Sequence, residues 1–295
     1  MKIFKRILSI ALFLIIISTM ITGCTISKKI TIAHKNYTEQ RLTGQLMAVY
    51  LESKGYETEV KELAGTMLCF DALKNDNIDI YAEFTGTAYG AILEQTEILG
   101  EQETYDYVKA QCEKKYDITW LEPFGWNNTY VLSVTAETAQ KYNLTNFSDL
   151  VAVANELTLG CDLEFANRAD GLPGLTSAYD DMEFKDVMSM DQGLTYQALA
   201  NGDVDVNVSY STDGRIAKFG LVNLNDDRNF FPPYFVAPIM RMEYADENPE
   251  VATALRELGN KWTEAEMQVY NLMVDEGTSA KDVATQMLKD KGLID

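Results

Sequence analysis

A layered α/β architecture built from two similar halves is what this sequence predicts, on three observations. Strand-like and helix-like segments alternate along the chain. A fifteen-residue segment recurs, once from Ala72 and once from Ala198. At 295 residues and 46% hydrophobic content, the chain is large enough for two ordinary domains with real cores.

The N-terminal segment stands apart. Lys2, Lys5 and Arg6 precede an apolar stretch from Ile7 to Met20, followed by Ile21-Thr22-Gly23-Cys24. Residues 1–23 read as a secretory signal, too short for an ordinary membrane span. Its ending resembles a bacterial lipobox, which implies cleavage before Cys24 and a lipid on that residue. The expected location is therefore extracytoplasmic, with the protein lipid-anchored to the cell membrane; an uncleaved N-terminal anchor would leave the body outside as well.

From Lys28 the elements follow in order. "KKITIAH" alternates and is β-branched, as a strand requires. Leu42, Leu46, Val49 and Tyr50 share one helical face, with Asn36 or Thr38 as the expected cap and Gly55 as the stop. "YETEVKEL" reads as a strand, "MLCFDALKN" as a helix and "NIDIYA" as a strand. The second half repeats the scheme with "LTLGCD", "TYQALANG" and "DVDVNV". After it, residues from Glu247 onward read as three amphipathic helices, and Met182, Met188 and Met190 as core. Trp120, Trp126 and Trp262 read as packing.

The recurring segments are "ALKNDNIDIYAEFTG" and "ALANGDVDVNVSYST". Each carries Ala-Leu, an asparagine, then Asp between two β-branched residues, and each places an aromatic twelve residues after its alanine: Phe84 and Tyr210. Helix-turn-strand units often look alike, but chance similarity does not explain the matching aromatic offset. An aromatic just past a strand's carboxyl end sits where open α/β sheets bind ligands. The stiff turn "FFPPYFVAP" adds Tyr234, since proline restricts its own φ and that of the residue before it. "WNNTYVLSV" adds Tyr130.

The formal net charge is −20, and removing the signal takes away three positive charges and no acid. Nucleic acid is excluded as a partner class, because phosphate binding needs a basic footprint. Three cysteines besides Cys24 (Cys69, Cys112 and Cys161) have no CxxC spacing, which argues against a disulfide framework but leaves one bridge open. His34 is the sole histidine, so neither a metal site nor a cofactor is expected.

Several aromatic faces without a nucleophile or metal suit a quaternary ammonium cation. Such a cation donates no ordinary hydrogen bond, while each ring face contributes on the order of 1 kcal/mol, up to about 2 when desolvated. Several together approach the roughly 8 kcal/mol that micromolar binding needs. Arg168 and Lys35, each following a predicted strand, are the candidates for the ligand's polar end, with Thr87 adding a hydroxyl. Surface salt bridging is the competing reading for both cations, with Asp170 or Glu164 as possible partners of Arg168.

"HKNYTEQ", "DIYAEFTGT", "FGWNNTY", "EFANRADGLPGL", "YSTDGRI" and "PPYFVAP" resemble the substrate-binding lipoproteins of glycine betaine/choline/carnitine (osmoprotectant) ABC importers. The resemblance spans about residues 28 to 295. It implies a two-lobed, type II periplasmic-binding-protein-like α/β fold with the ligand cleft between lobes. Lobe one would comprise 24–128 plus 233–295, and lobe two 129–232. It maps an aromatic cage onto Phe84, Tyr130, Tyr210 and Tyr234, and a polar end onto Lys35, Thr87 and Arg168. It implies a small-molecule quaternary ammonium ligand and, as partners, ABC permease and ATPase subunits. Two departures bear on the ligand: Phe84 stands where tyrosine is usual, and His34-Lys35-Asn36-Tyr37 where Ser-Lys-Asn-Phe is usual. Relatives also take bulkier betaines, including trimethylated histidine derivatives of the ergothioneine kind. A secreted hydrolase is the competing class, but the serines of "GLTSAYD" and "YSTDG" are followed by no histidine base. A solute sensor that does not transport is a third reading.

Overall fold

The computed structural model describes residues 29–97 and 99–295. The expected signal at 1–23 and lipidation at Cys24 lie outside the described residues. Among the described residues ten strands form two five-stranded sheets. The first holds β1 (Ile30–Lys35), β2 (Thr58–Leu63), β3 (Ile80–Phe84), β4 (Ile118–Trp120) and β10 (Val236–Arg241), in the order β2-β1-β3-β10-β4. The second holds β5 (Tyr130–Thr135), β6 (Thr158–Cys161), β7 (Asp186–Ser189), β8 (Val206–Tyr210) and β9 (Leu221–Asn223), in the order β7-β6-β8-β5-β9.

The two orders are the same pattern. Three parallel strands are followed by an antiparallel one, β10 against β3 and β5 against β8, and then by a fifth. The recurring sequence segment is the physical core of this likeness. In each copy a helix (Thr66–Lys74 or Gln192–Asn201) ends just before a left-handed residue, Asp76 at φ 57° or Gly202 at φ 79°. The aspartate that follows then clamps the neighbouring strand. Thr31 N donates to Asp79 Oδ2 at 2.8 Å, and Thr158 N donates to Asp205 Oδ2 at 2.9 Å. These aspartates set the register in which Phe84 and Tyr210 close β3 and β8.

The chain crosses from the first sheet to the second between Trp120 and Tyr130 and returns between Asn223 and Val236. The crossings lie side by side: Asn127 bridges Phe235, and Asn128 N donates to Tyr234 O at 3.0 Å. We propose the lobe boundaries at 128/129 and 232/233, which these crossings support.

Helix Thr38–Ser53 buries Leu42, Leu46, Val49 and Tyr50 as its periodicity requires. Three C-terminal helices, Pro249–Arg256, Glu264–Asp275 and Ala280–Asp290, pack on it. Trp120, Trp126 and Trp262 are fully buried. Two expectations fail. Neither Asn36 nor Thr38 caps the first helix; Tyr37 holds that position with no side-chain bond, because the Thr38 hydroxyl is drawn to Asp275 at 2.5 Å. Met188 is 40% exposed, because β7 is an edge strand with every residue facing solvent. Cys69, Cys112 and Cys161 are buried free thiols, and burial pushes the Cys112 and Cys161 thiols up to about 11.

Candidate functional site

The ends of β3 and β8 deliver Phe84 and Tyr210 to the space between the sheets. Tyr130 is the register partner of Tyr210 across the antiparallel pair, and their ring centroids lie 5.3 Å apart. Tyr234 arrives from the stiff Pro232-Pro233 turn. That turn is hooked down at two points. The Thr85 hydroxyl donates to Pro233 O at 2.8 Å and accepts from Phe235 N at 3.0 Å, while Tyr234 N donates to Asn127 Oδ1 at 2.7 Å. The ring then lies on Gly86, where a Cβ would come within 2.6 Å of it. Tyr234 meets Tyr130 edge-on, at 5.3 Å and 87°.

A narrow cavity is lined by Lys35, Phe84, Thr87, Tyr130, Arg168, Tyr210 and Tyr234. All seven residues expected from the sequence therefore converge there. Four more line it: Tyr37, Thr66, Asn128 and Glu164. Tyr37 adds a fifth ring, stacked on Tyr210 at 5.6 Å and 28°. It lies two residues past β1, much as Phe84 closes β3, and that strand-end position is the signal by which it could have been found. The cavity adjoins a larger cleft that shares Lys35, Tyr37, Thr66, Glu164, Arg168 and Tyr210 with it. Its apolar lips include Met67, Leu68 and Leu163, each more than half exposed.

The cations of the cavity are already paired. Lys35 Nζ lies 2.6 Å from Glu83 Oε1 and 5.5 Å from the Phe84 ring centroid. Arg168 Nε donates to Asp170 Oδ1 at 2.8 Å, Nη2 pairs with Asp170 Oδ2, and Nη1 lies 3.4 Å from Glu164 Oε1. Burial pushes the Glu164 carboxyl up, but Lys35, Arg168 and nearby hydrogen bonds outweigh it and hold the group below its usual range.

Behind the cavity lies a second polar centre with no counterpart in the sequence reading. Glu39, fully buried, accepts from Trp126 Nε1 at 2.9 Å, Asn128 Nδ2 at 2.9 Å, Asn271 Nδ2 at 2.9 Å and the Thr212 hydroxyl. The donors come from the first crossing, the segment after β8 and a C-terminal helix. Burial raises the Glu39 pKa, and the four donors only partly offset that rise. "YSTDGRI" serves this back contact: besides Thr212, Ser211 O accepts from Gln268 Nε2 at 2.8 Å.

Converging ring faces with paired cations can hold a positively charged, poorly hydrated group and exclude water from it. Comparison with known proteins agrees with that chemistry. Residues 28–290 match the family described as the substrate binding domain of ABC-type glycine betaine transport system. The carnitine transport binding protein OpuCC of Listeria monocytogenes is 35% identical over 258 residues, covering 86% of this chain and 83% of that protein. A glycine-betaine-binding protein of Pseudomonas aeruginosa is 32% identical over 285 residues, 92% of this chain and 91% of that one. A crystal structure described as a glycine betaine/carnitine/choline ABC transporter superposes with a TM-score of 0.75 at 31% identity, over 90% of this chain and 100% of the other. The two-sheet architecture is that of type II periplasmic binding proteins, and the chain belongs to the family of substrate-binding domains of ABC-type glycine betaine transport systems.

Proposed function

We propose that this protein captures a quaternary ammonium compound of the betaine, choline and carnitine class in an aromatic cage and hands it to an ABC permease and its ATPase. It works as a binding protein, not as an enzyme, and sits outside the membrane through a lipid on Cys24. The single observation that carries the reading is the convergence of five rings, Tyr37, Phe84, Tyr130, Tyr210 and Tyr234, on one cavity from two sheets. Each face contributes on the order of 1 kcal/mol to holding a cation. The paired crossings near 128 and 233 act as the hinge, and closure narrows the larger cleft over the ligand.

Calorimetry against choline, carnitine, glycine betaine and ergothioneine tests the reading. Saturable binding of at least one is expected, with a smaller solution radius at saturation. Binding by none ends the cage reading; binding with an unchanged scattering profile ends the hinge. The open cleft that continues from the cage past Met67, Leu68 and Leu163 favours the bulkier ergothioneine-like ligand.

A further inference from the structure

We propose that helix Glu264–Asp275 is a strap that holds the two lobes together apart from the crossings, and that Gly214 is the positioning residue through which it sets how long a ligand stays bound. The lobes are those whose boundaries are proposed above, and the part that concerns ligand rests on the cage reading. Two independent observations support the strap.

The first is a helix face devoted to the other lobe. Glu264, Gln268, Asn271 and Asp275 are spaced four, three and four residues apart, which places them on one side of the helix. Each meets a successive point of the facing chain. Glu264 Oε1 accepts from Asn127 N at 3.1 Å, in the first crossing. Gln268 Nε2 donates to Ser211 O at 2.8 Å, and Asn271 Nδ2 donates to Thr212 O at 3.1 Å. Asp275 Oδ2 lies 3.3 Å from Arg215 Nε, with both side chains largely buried. Met267 and Tyr270 turn away from this line and are buried. The Tyr270 hydroxyl donates to Asp290 Oδ2 at 2.7 Å, in the last helix of the chain. The helix is thus fixed in lobe one and laid along lobe two.

The second observation is Gly214. Its backbone is ordinary right-handed helix, φ −66° and ψ −16°, which any residue adopts. The close approach of the strap is what demands glycine. A Cβ at 214 would lie 2.4 Å from Gln268 O and 2.6 Å from Leu272 Cβ. These atoms belong to the body of the helix and cannot swing aside as the end of a long side chain would. A side chain at 214 therefore acts as a wedge against the docked strap.

From Glu264 to Asp275 the helix runs about 16 Å away from the crossing. A rotation about the crossings that parts the lobes pulls Asp275 from Arg215 furthest and Glu264 from Asn127 least. None of these four contacts is made by a residue that lines the cage. The strap therefore favours the closed form with or without ligand, and a ligand that needs the closed form binds in proportion to its population.

Gly214→Val in the intact protein tests this. Small-angle scattering without ligand should give a larger radius of gyration than wild type. Glycine betaine, choline and carnitine serve as probes. Whichever of them wild type binds should bind the variant about tenfold more weakly, with the loss carried by faster dissociation. A packing role alone would lower the melting temperature and move neither reading. An unchanged ligand-free radius overturns the strap, and an unchanged dissociation rate overturns its part in holding ligand. If Gly214→Val does not fold, Gln268→Ala removes one bond and adds no atoms. It should shift both readings in the same direction by a smaller amount, and no shift overturns the proposal. If none of the three compounds binds wild type, the cage reading has failed, and the ligand-free radius still decides for or against the strap.

Discussion

The cage and the centre at Glu39 share one residue, Asn128, and are built on opposite terms. Both oxygens of the Glu39 carboxylate are used by four side-chain donors, although Asn271 Oδ1 in the same centre has no partner among the described residues. Around the cage the polar inventory is incomplete. Asn128 Oδ1 and Tyr234 Oη have no partner among the described residues, and rings line a cavity. The contrast separates a joint from a receptor. A polar centre that joins a helix, a crossing and both sheets gains from being complete, since each missing bond would weaken the assembly. A binding site gains from groups that only a ligand completes. The carboxylates differ in the same way. Glu39 makes no ion pair among the described residues and its pKa is raised, chiefly by burial; Glu164 is also buried, but Lys35 and Arg168 bring it below the usual value.

The sharpest way to break this contrast is Glu39→Gln. The new amide turns one acceptor into a donor that faces existing donors, so buried groups lose their partners. We expect a loss of about 2–4 kcal/mol, read as a lower midpoint in chemical denaturation. A midpoint that does not move would show that the centre contributes nothing to holding the lobes.

Tyr210→Leu addresses the other region. Tyr210 is half-buried at the end of β8, whereas Tyr130 and Tyr234 are buried among other rings. Removing its face should weaken ligand binding by about 1–2 kcal/mol, near tenfold, with little change in melting temperature. Alanine at Tyr130 or Tyr234 should weaken binding too, but at a cost in stability of about 3 kcal/mol or more from the cavity left behind. Equal binding losses with no stability difference among the three would contradict that division.

A smaller effect is expected from pH, with opposite signs in the two regions. The raised Glu39 pKa means that the folded state holds a proton the unfolded state has released. That contribution is therefore present below the unfolded value and is lost as pH rises through the folded one. The lowered Glu164 pKa works in reverse: its contribution is present above the unfolded value and is lost as pH falls through the folded one. Melting curves from pH 3 to 8 for Glu164→Gln, set against wild type, should show the difference shrinking toward the acid end. A constant offset across that range would mean that the Lys35–Arg168 surroundings do not hold the carboxyl down.

The smallest change expected is Phe84→Tyr. The ring face survives and a hydroxyl is added beside a buried lysine, so affinity should shift by less than about tenfold. A larger loss in calorimetry would show that the cage has no room beyond Phe84.

Much of this molecule was legible before its structure. The twelve-residue offset from Ala72 to Phe84 and from Ala198 to Tyr210 belongs to one helix-turn-strand unit, and every step in it is local. Local period also placed Leu42 and Leu46 inward. The same logic extends to Tyr37, two residues past the end of β1. By contrast, the absent cap on the first helix and the exposure of Met188 were not legible, because Thr38 answers to Asp275 and β7 lies at an edge.

The sequence by itself determined the α/β class, the two matching halves, and seven of the residues that line the cavity, four of them rings. These depend on periodicities and offsets that span one element or one neighbouring pair. Only the tertiary structure decided which charges meet. With 45 acidic and 25 basic residues, many pairings are compatible with the chain, and a carboxylate's partner is fixed by distances of a few ångströms between segments far apart in sequence. Thus Arg168 closes on Asp170 rather than reaching out, Lys35 takes Glu83 from the next strand, and Glu39 gathers donors as distant as Asn271.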